Sequence, residues 1–239
     1  MKNPNRQTSV TFQVNYLLKK HKIEAKLEEI TKLSKIIKNS IKFNQKLYDI
    51  GTLDGVSLAT TVEDLMEIFA LRSKVYKEIG YSDEFPEFLK GLDFDEFDEC
   101  SAIVYSKRGD SITGTCRLVF DIDKKLPIEE KFSVEYLRNQ NRNLIEASRV
   151  IIKGSEGLKP EFKLLTQDSY RVLNSYGVDA VSAMTQEHIR LYKNFGGLTV
   201  EKKIDTYGGI EKEFFLTLWK TQEISPFFKR VFLRNQKVG

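Results

Sequence analysis

Leu144-Ile145-Glu146-Ala147-Ser148-Arg149-Val150-Ile151-Ile152 reads as a β-strand with charge at its centre. A strand holds charge there only when the charge is solvated, paired or used in chemistry. Upstream, Ile112 to Phe120 reads as a second strand, built around Arg117 in Gly114-Thr115-Cys116-Arg117-Leu118. Ahead of it stands an acidic run, Asp93-Phe94-Asp95-Glu96-Phe97-Asp98. Acids upstream and two strand arginines predict a charged cleft on a sheet, a site for a polar substrate.

The remaining elements alternate around these strands. Val56 to Ala59 is a short strand. Thr61 caps a helix with acids in its first turn, running to about Ile79. Ala102 to Tyr105 pairs with Ile112 to Phe120 as a hairpin through the turn Lys107-Arg108-Gly109-Asp110. A short helix spans Phe132 to Arg138. Pro160 opens a helix that Tyr176-Gly177 closes. Val178 to Ala183 is a buried strand, and a helix runs from Thr185 to Phe195-Gly196-Gly197. Strands Leu198 to Ile204 and Phe214 to Lys220 complete the sheet. This order predicts an α/β (α+β) fold, a mixed central sheet with helices on both faces.

Residues 1–50 are expected to form a basic extension to a domain over residues 51–239, joined by a linker from Gly51 to Gly55. After a frayed start at residues 1–14, Ile23, Leu27, Ile30, Leu33, Ile37 and Ile41 recur at helical spacing with lysines between them. That is an amphipathic helix or helix pair. Docking on the protein's own core or on a dimer partner is preferred to membrane contact. Net charge is +4 over 239 residues, with 11 Lys/Arg against 4 Asp/Glu in residues 1–50. A basic arm on an acidic body invites an anionic partner, or is simply a solvated face.

Hydrophobic content of 41% and charged content of 30% give a packed core and exclude a disordered chain. The two cysteines, Cys100 and Cys116, form no Cys-x-x-Cys, so a disulfide framework is not expected and a cytoplasmic location fits. No signal peptide or membrane-crossing run is read. His188 has no Cys or His cluster beside it for zinc. The aspartates lack the glycine and glutamate of an EF-hand loop, so no metal is expected.

The spacing Asp-x-Asp-x-x-Asp, Gly-Thr-x-Arg-Leu, Glu-x-Ser-Arg resembles the acyl-homoserine-lactone synthases. It resembles more closely their relatives, the N-acyl amino acid synthases and exosortase-linked acyltransferases, all of the GNAT fold. Leu71-Arg72-Ser73-Lys74-Val75-Tyr76 with Gly80-Tyr81, and Leu126-Pro127-Ile128-Glu129, add to the likeness. It covers about Val56 to Trp219. The resemblance implies an acyltransferase without a resident cofactor, taking an acyl chain from acyl carrier protein or acyl-CoA to an amine.

Under that resemblance Glu146 is the base, with Arg149 either functional or a structural partner, since residues three apart face opposite sides of a regular strand. Arg117 holds a substrate carboxylate or bridges Asp95 or Asp98. Asp93, Asp95 and Asp98 organise the amine site, with Arg72, Tyr76 and Tyr81 beside it. Tyr81 stands where the lactone synthases carry Trp, which points away from S-adenosylmethionine and towards an amino acid. Backbone N–H groups near Val150, Ile151 and Ile152 polarise the thioester. Lys153-Gly154-Ser155-Glu156-Gly157-Leu158 is a loose substitute for a pyrophosphate loop, which favours a carrier protein as donor, steered by Lys153, Lys159, Lys163 and the basic C-terminus. Tyr192 either protonates the departing thiolate or packs as core. The expected partners are acyl carrier protein and an amino acid, not nucleic acid. A lactone synthase, an ornithine-lipid type N-acyltransferase and a non-catalytic binding module remain as alternatives.

Overall fold

The computed structural model describes residues 9–49, 53–82, 84, 87–122, 125–140, 142–153, 160–204, 210 and 212–233. The loop at 154–159 and the C-terminal Arg234 lie outside them, and with them the phosphate-loop reading and part of the basic C-terminus.

The N-terminal extension is a helix pair, α1 (Val10–Lys20) and α2 (Leu27–Tyr48). Helix begins earlier than expected because Ser9 caps it, its hydroxyl accepting from the Phe12 N–H at 3.3 Å. Leu27 apart, which is exposed, the apolar stripe packs inward: Leu33 and Ile37, with Ile36 beside them, share one core with Leu65 and Phe69 of α3 (Val62–Glu78) and with Ile103. The docking is therefore on the chain's own core. Thr61 caps α3 as predicted, accepting from the Asp64 N–H.

Strands β1 (Ser101–Arg108) and β2 (Ser111–Phe120) form the hairpin. A short helix α4 (Glu135–Arg138) precedes β3 (Leu144–Ile152), and α5 (Pro160–Tyr176) follows it. Then come β4 (Asp179–Met184), α6 (Gln186–Tyr192), β5 (Leu198–Ile204), β6 (Phe214–Trp219) and α7 (Pro226–Phe228). The sheet order is β1-β2-β3-β4-β6-β5, and only β3 and β4 run parallel.

The expected strand at Val56 to Ala59 is an isolated bridge, Leu58 to Val104. Beyond it the outer edge of β1 is taken by a side chain. The buried Asn44 of α2 donates to the Ser101 carbonyl and accepts from the Ile103 N–H, both at 3.0 Å. One amide thus supplies a donor and an acceptor, as a neighbouring strand does. On β2, Gly114 has no room for a side chain: a Cβ there meets Ser106 Oγ at 2.7 Å and Leu165 Cδ1 of α5 at 2.8 Å. The glycine of the Gly-Thr-x-Arg-Leu motif lets α5 close onto the sheet.

Candidate active site

The pairing of β2 with β3 is irregular where the charges lie. Arg117 faces Ser148 and Thr115 faces Ile151, so one residue of β2 opposes two of β3, Arg149 and Val150. This is a β-bulge. Arg149 takes φ +54°, a left-handed conformation that costs a non-glycine residue about 1–2 kcal/mol. The turn brings Arg149 round to the face that carries Glu146 and Ser148. Its guanidinium binds Asp93 Oδ2 and, at 3.0 Å, Asp95 Oδ2, and lies 5.3 Å from the Tyr76 ring centre. The expectation that Glu146 and Arg149 face opposite sides is corrected by the bulge.

The aspartates divide by role. Asp95 caps the 3₁₀ turn Glu96–Cys100: its carboxylate accepts from Phe97 N–H, and Asp98 accepts from the Asp95 N–H at 3.0 Å. The three-residue spacing is a reciprocal cap. Asp95 also accepts from Arg117 Nη1 at 2.6 Å, while Arg117 Nε donates to Ser148 Oγ at 3.2 Å. Burial opposes ionisation of Asp95, but Arg117 and Arg149 outweigh it and hold its carboxyl well below the usual range. Asp93 is pushed up by burial, which Arg149 and Arg72 only partly offset.

Asp98 and Arg72 are fully buried and paired with each other at 2.8 Å. Neither lines the cavity described below. Their predicted place among the substrate ligands is corrected: they form an ion pair beneath the site. The helical run Ile68-Phe69-Ala70-Leu71 carries Arg72 into the core.

Glu146 is buried. Leu126-Pro127-Ile128-Glu129 forms a 3₁₀ turn whose first N–H groups have no partner within the turn. Glu146 takes one of them, Oε2 accepting from Ile128 N–H at 2.6 Å. Glu129 accepts from Leu126 N–H and pairs with Arg138, which ties the turn to α4. Burial raises the Glu146 carboxyl to about 7, against the pull of Arg117 and the Ile128 N–H. A carboxylate at that value exchanges protons near neutral pH, as a general base must.

The sheet opens at this residue. The parallel pairing of β3 with β4 covers Leu144–Asp179, Ile145–Ala180 and Glu146–Val181 and then stops, although both strands continue. Past Glu146 no further pairing of β3 with β4 is present among the described residues. Val150, Ile151 and Ile152 follow on β3 and line a cavity of about 1040 Å³. The cavity joins the two faces of the sheet. On one face it is polar, lined by Asp93, Asp95, Arg117, Glu146 and Arg149, with Tyr76 and Tyr81 at its side. On the other it runs against α5, past Cys116, Leu118, Leu165, Ser169 and Leu173. That apolar arm was not foreseen; the sequence signal was the buried face of α5.

Tyr192 lines the same cavity among aromatic rings, 5.0 Å from Phe195 and 5.9 Å from Phe162. Burial, and Cys116 beyond it, raise the pKa of its hydroxyl. A tyrosine that holds its proton more tightly than a free thiol does is a poor acid for a thiolate, which favours the packing reading. Cys116 is pushed up to about 11 by burial and stays a thiol, so it is no nucleophile. Burial lowers the pKa of His188, also in the lining.

A mixed sheet split beside its parallel pair, with a carboxylate at the split and a cavity through it, places the chain among the acyltransferases of the GNAT fold. The family model described as N-acyl amino acid synthase FeeM matches residues 67–218, and the chain belongs to that family. Among solved structures, it is similar to FeeM, an N-acyl amino acid synthase from uncultured soil microbes: 17% identity over 70% of this chain and 98% of that one, TM-score 0.55. MesI, a CoA-dependent acyl-homoserine lactone synthase, is similar at 17% identity over 79% and 91% of the two chains, TM-score 0.55. The acyl-homoserine lactone synthase LasI is similar at 18% identity over 68% and 87%, TM-score 0.50. No curated protein matches the chain in sequence.

Proposed function

We propose that this acyltransferase moves an acyl chain from an acyl-carrier-protein thioester to the amine of an amino acid. The observation that carries the reading is the position of Glu146, a buried carboxylate with a pKa of about 7, at the split that joins a polar and an apolar half of one cavity. The acyl chain lies along α5 and the acceptor lies among Asp93, Asp95 and the arginines. Glu146 takes a proton from the amine, and the amine nitrogen attacks the thioester carbonyl. The oxyanion is held by N–H groups of β3 near Val150 to Ile152. As the C–N bond forms and the C–S bond breaks, the proton on Glu146 passes to the departing thiolate. The acceptor arrives as an ammonium ion drawn to the Asp95 side and sheds one proton to water to become the attacking amine, and Arg117 and Arg149 offer N–H groups to its carboxylate.

The family description supports an amino acid acceptor. The likeness to MesI and LasI favours a second reading, lactone synthesis from S-adenosylmethionine. Thiol release with acyl carrier protein and with acyl-CoA, each with amino acids, matching amines and S-adenosylmethionine, separates the two. Carrier-bound chains and free amino acids are expected to react fastest, since a site that pairs a charge rejects an analogue lacking it. Release with S-adenosylmethionine alone, yielding a lactone, makes the second reading correct. Equal rates with an alkylamine remove the carboxylate role from Arg117 and Arg149.

A further inference from the structure

The face of α2 turned away from the core carries Lys32, Lys35, Lys38, Lys42 and Lys46, all exposed. Steps of three or four residues bring them to one side of the helix, a stripe of roughly 20 Å at about 1.5 Å per residue. Little neutralises it: among the described residues its one ion pair is Lys35 with Glu99, at 3.9 Å. The apolar face of the same helix is already buried, so α2 is not free to sink into a bilayer.

Lys32 ties this stripe to the site. Its ammonium lies 3.8 Å from the Phe88 ring centre, and both residues line the cavity with Ile79. Phe88 is 39% exposed, Ile79 51% and Leu27, at the start of the stripe, 80%. Ile79 and Phe88 thus meet water beside Lys32 at the cavity, while Leu27, at the start of α2, lies outside its lining.

We propose that α2 and this mouth dock on an anionic lipid surface. The lysines meet headgroup phosphates, and Leu27, Ile79 and Phe88 meet the apolar boundary below them. An acidic carrier protein fits less well. Its phosphorylated arm would meet a cavity half whose acids are already paired with Arg117, Arg149, Lys131 and Lys77, so it gains little beyond the lysines themselves, and it is an outcome of the test below. Duplex nucleic acid keeps its bases stacked, so it gains nothing from exposed Ile79 or Phe88. The inference is independent of which amine accepts the acyl chain.

The test is sedimentation of the full chain with vesicles of phosphatidylglycerol mixed with phosphatidylcholine, and of phosphatidylcholine alone. Binding is expected to the anionic vesicles only, and to weaken as salt rises. The combined variant Lys35→Gln, Lys38→Gln, Lys42→Gln is expected to lose about 100-fold, since each lysine near an anionic leaflet is worth roughly fivefold. The matching Lys→Glu variant, equally soluble and exposed, is expected to lose more, and circular dichroism checks that both fold. Equal binding to neutral vesicles, binding to neither, or variants that bind like the parent overturn the proposal. So does tighter binding to duplex DNA at the same ionic strength, or binding of acyl carrier protein that falls in the lysine variants more than vesicle binding does.

Discussion

Glu146→Gln is expected to lower kcat by about 10²–10⁴-fold, the usual contribution of a positioned general base. The parent enzyme should gain activity as pH rises through about 7, where the Glu146 carboxyl ionises, and the variant should lose that limb of the profile. Stability should move the other way. The fold raises this carboxyl from 4.5 to about 7, so it disfavours the ionised form. Glu146 therefore supports the fold fully below pH 4.5, and that support is lost as pH climbs through about 7. A neutral amide that still accepts from Ile128 N–H avoids this cost. Above pH 7 the variant should melt higher than the parent while turning over far more slowly. A variant that keeps more than half the parent activity would falsify the base assignment.

Asp98→Asn is expected to unfold the protein at a temperature lower by on the order of 10 °C, from a loss of about 3–5 kcal/mol. Asp98 and Arg72 are both fully buried, so removing the acid leaves a guanidinium charge in the core. Two nitrogens of Arg72, Nε and Nη2, already meet no acceptor among the described residues, which leaves little to take up the charge. Asp98 lies outside the cavity but accepts from the Asp95 N–H at 3.0 Å and lies 3.6 Å from Arg117, so the folded variant should show only a modest rise in KM for the acceptor. Thermal melts and initial rates on one sample decide it. A raised KM with an unchanged melting temperature returns Asp98 to the acceptor site.

Much of the fold was legible because its signals are local. Pro160 and Tyr176-Gly177 mark the ends of α5, and the charged strand Leu144–Ile152 has the bounds read from its residues. The stripe from Ile23 to Ile41 was legible as a surface that buries itself, and it does so on the core. What escaped was set by pairing between distant segments. A period of two puts Arg149 opposite Glu146, and only the register with β2 shows the extra residue. The same limit hid the split at Glu146, since no residue of β3 or β4 announces where their hydrogen bonds stop. Arg72 and Asp98 look like substrate ligands in a motif. They separate from Asp93 and Asp95 only when depth is known. The Leu-Pro-x-Glu element was legible as a likeness, but its service, one backbone N–H given to Glu146, belongs to the folded turn.

Asn44 has a consequence for anyone who divides this chain. The family match begins at residue 67, which invites truncation of what comes before. That cut removes the amide that closes the rim of β1 and strips Leu33, Ile36, Ile37 and Leu65 from the core they share with Phe69. The remainder would present a bare strand margin beside freshly exposed apolar surface, the arrangement from which chains recruit one another into aggregates. The first helices act as a built-in chaperone for the sheet, and a shortened enzyme that precipitates would reveal their absence, not a fault in its chemistry.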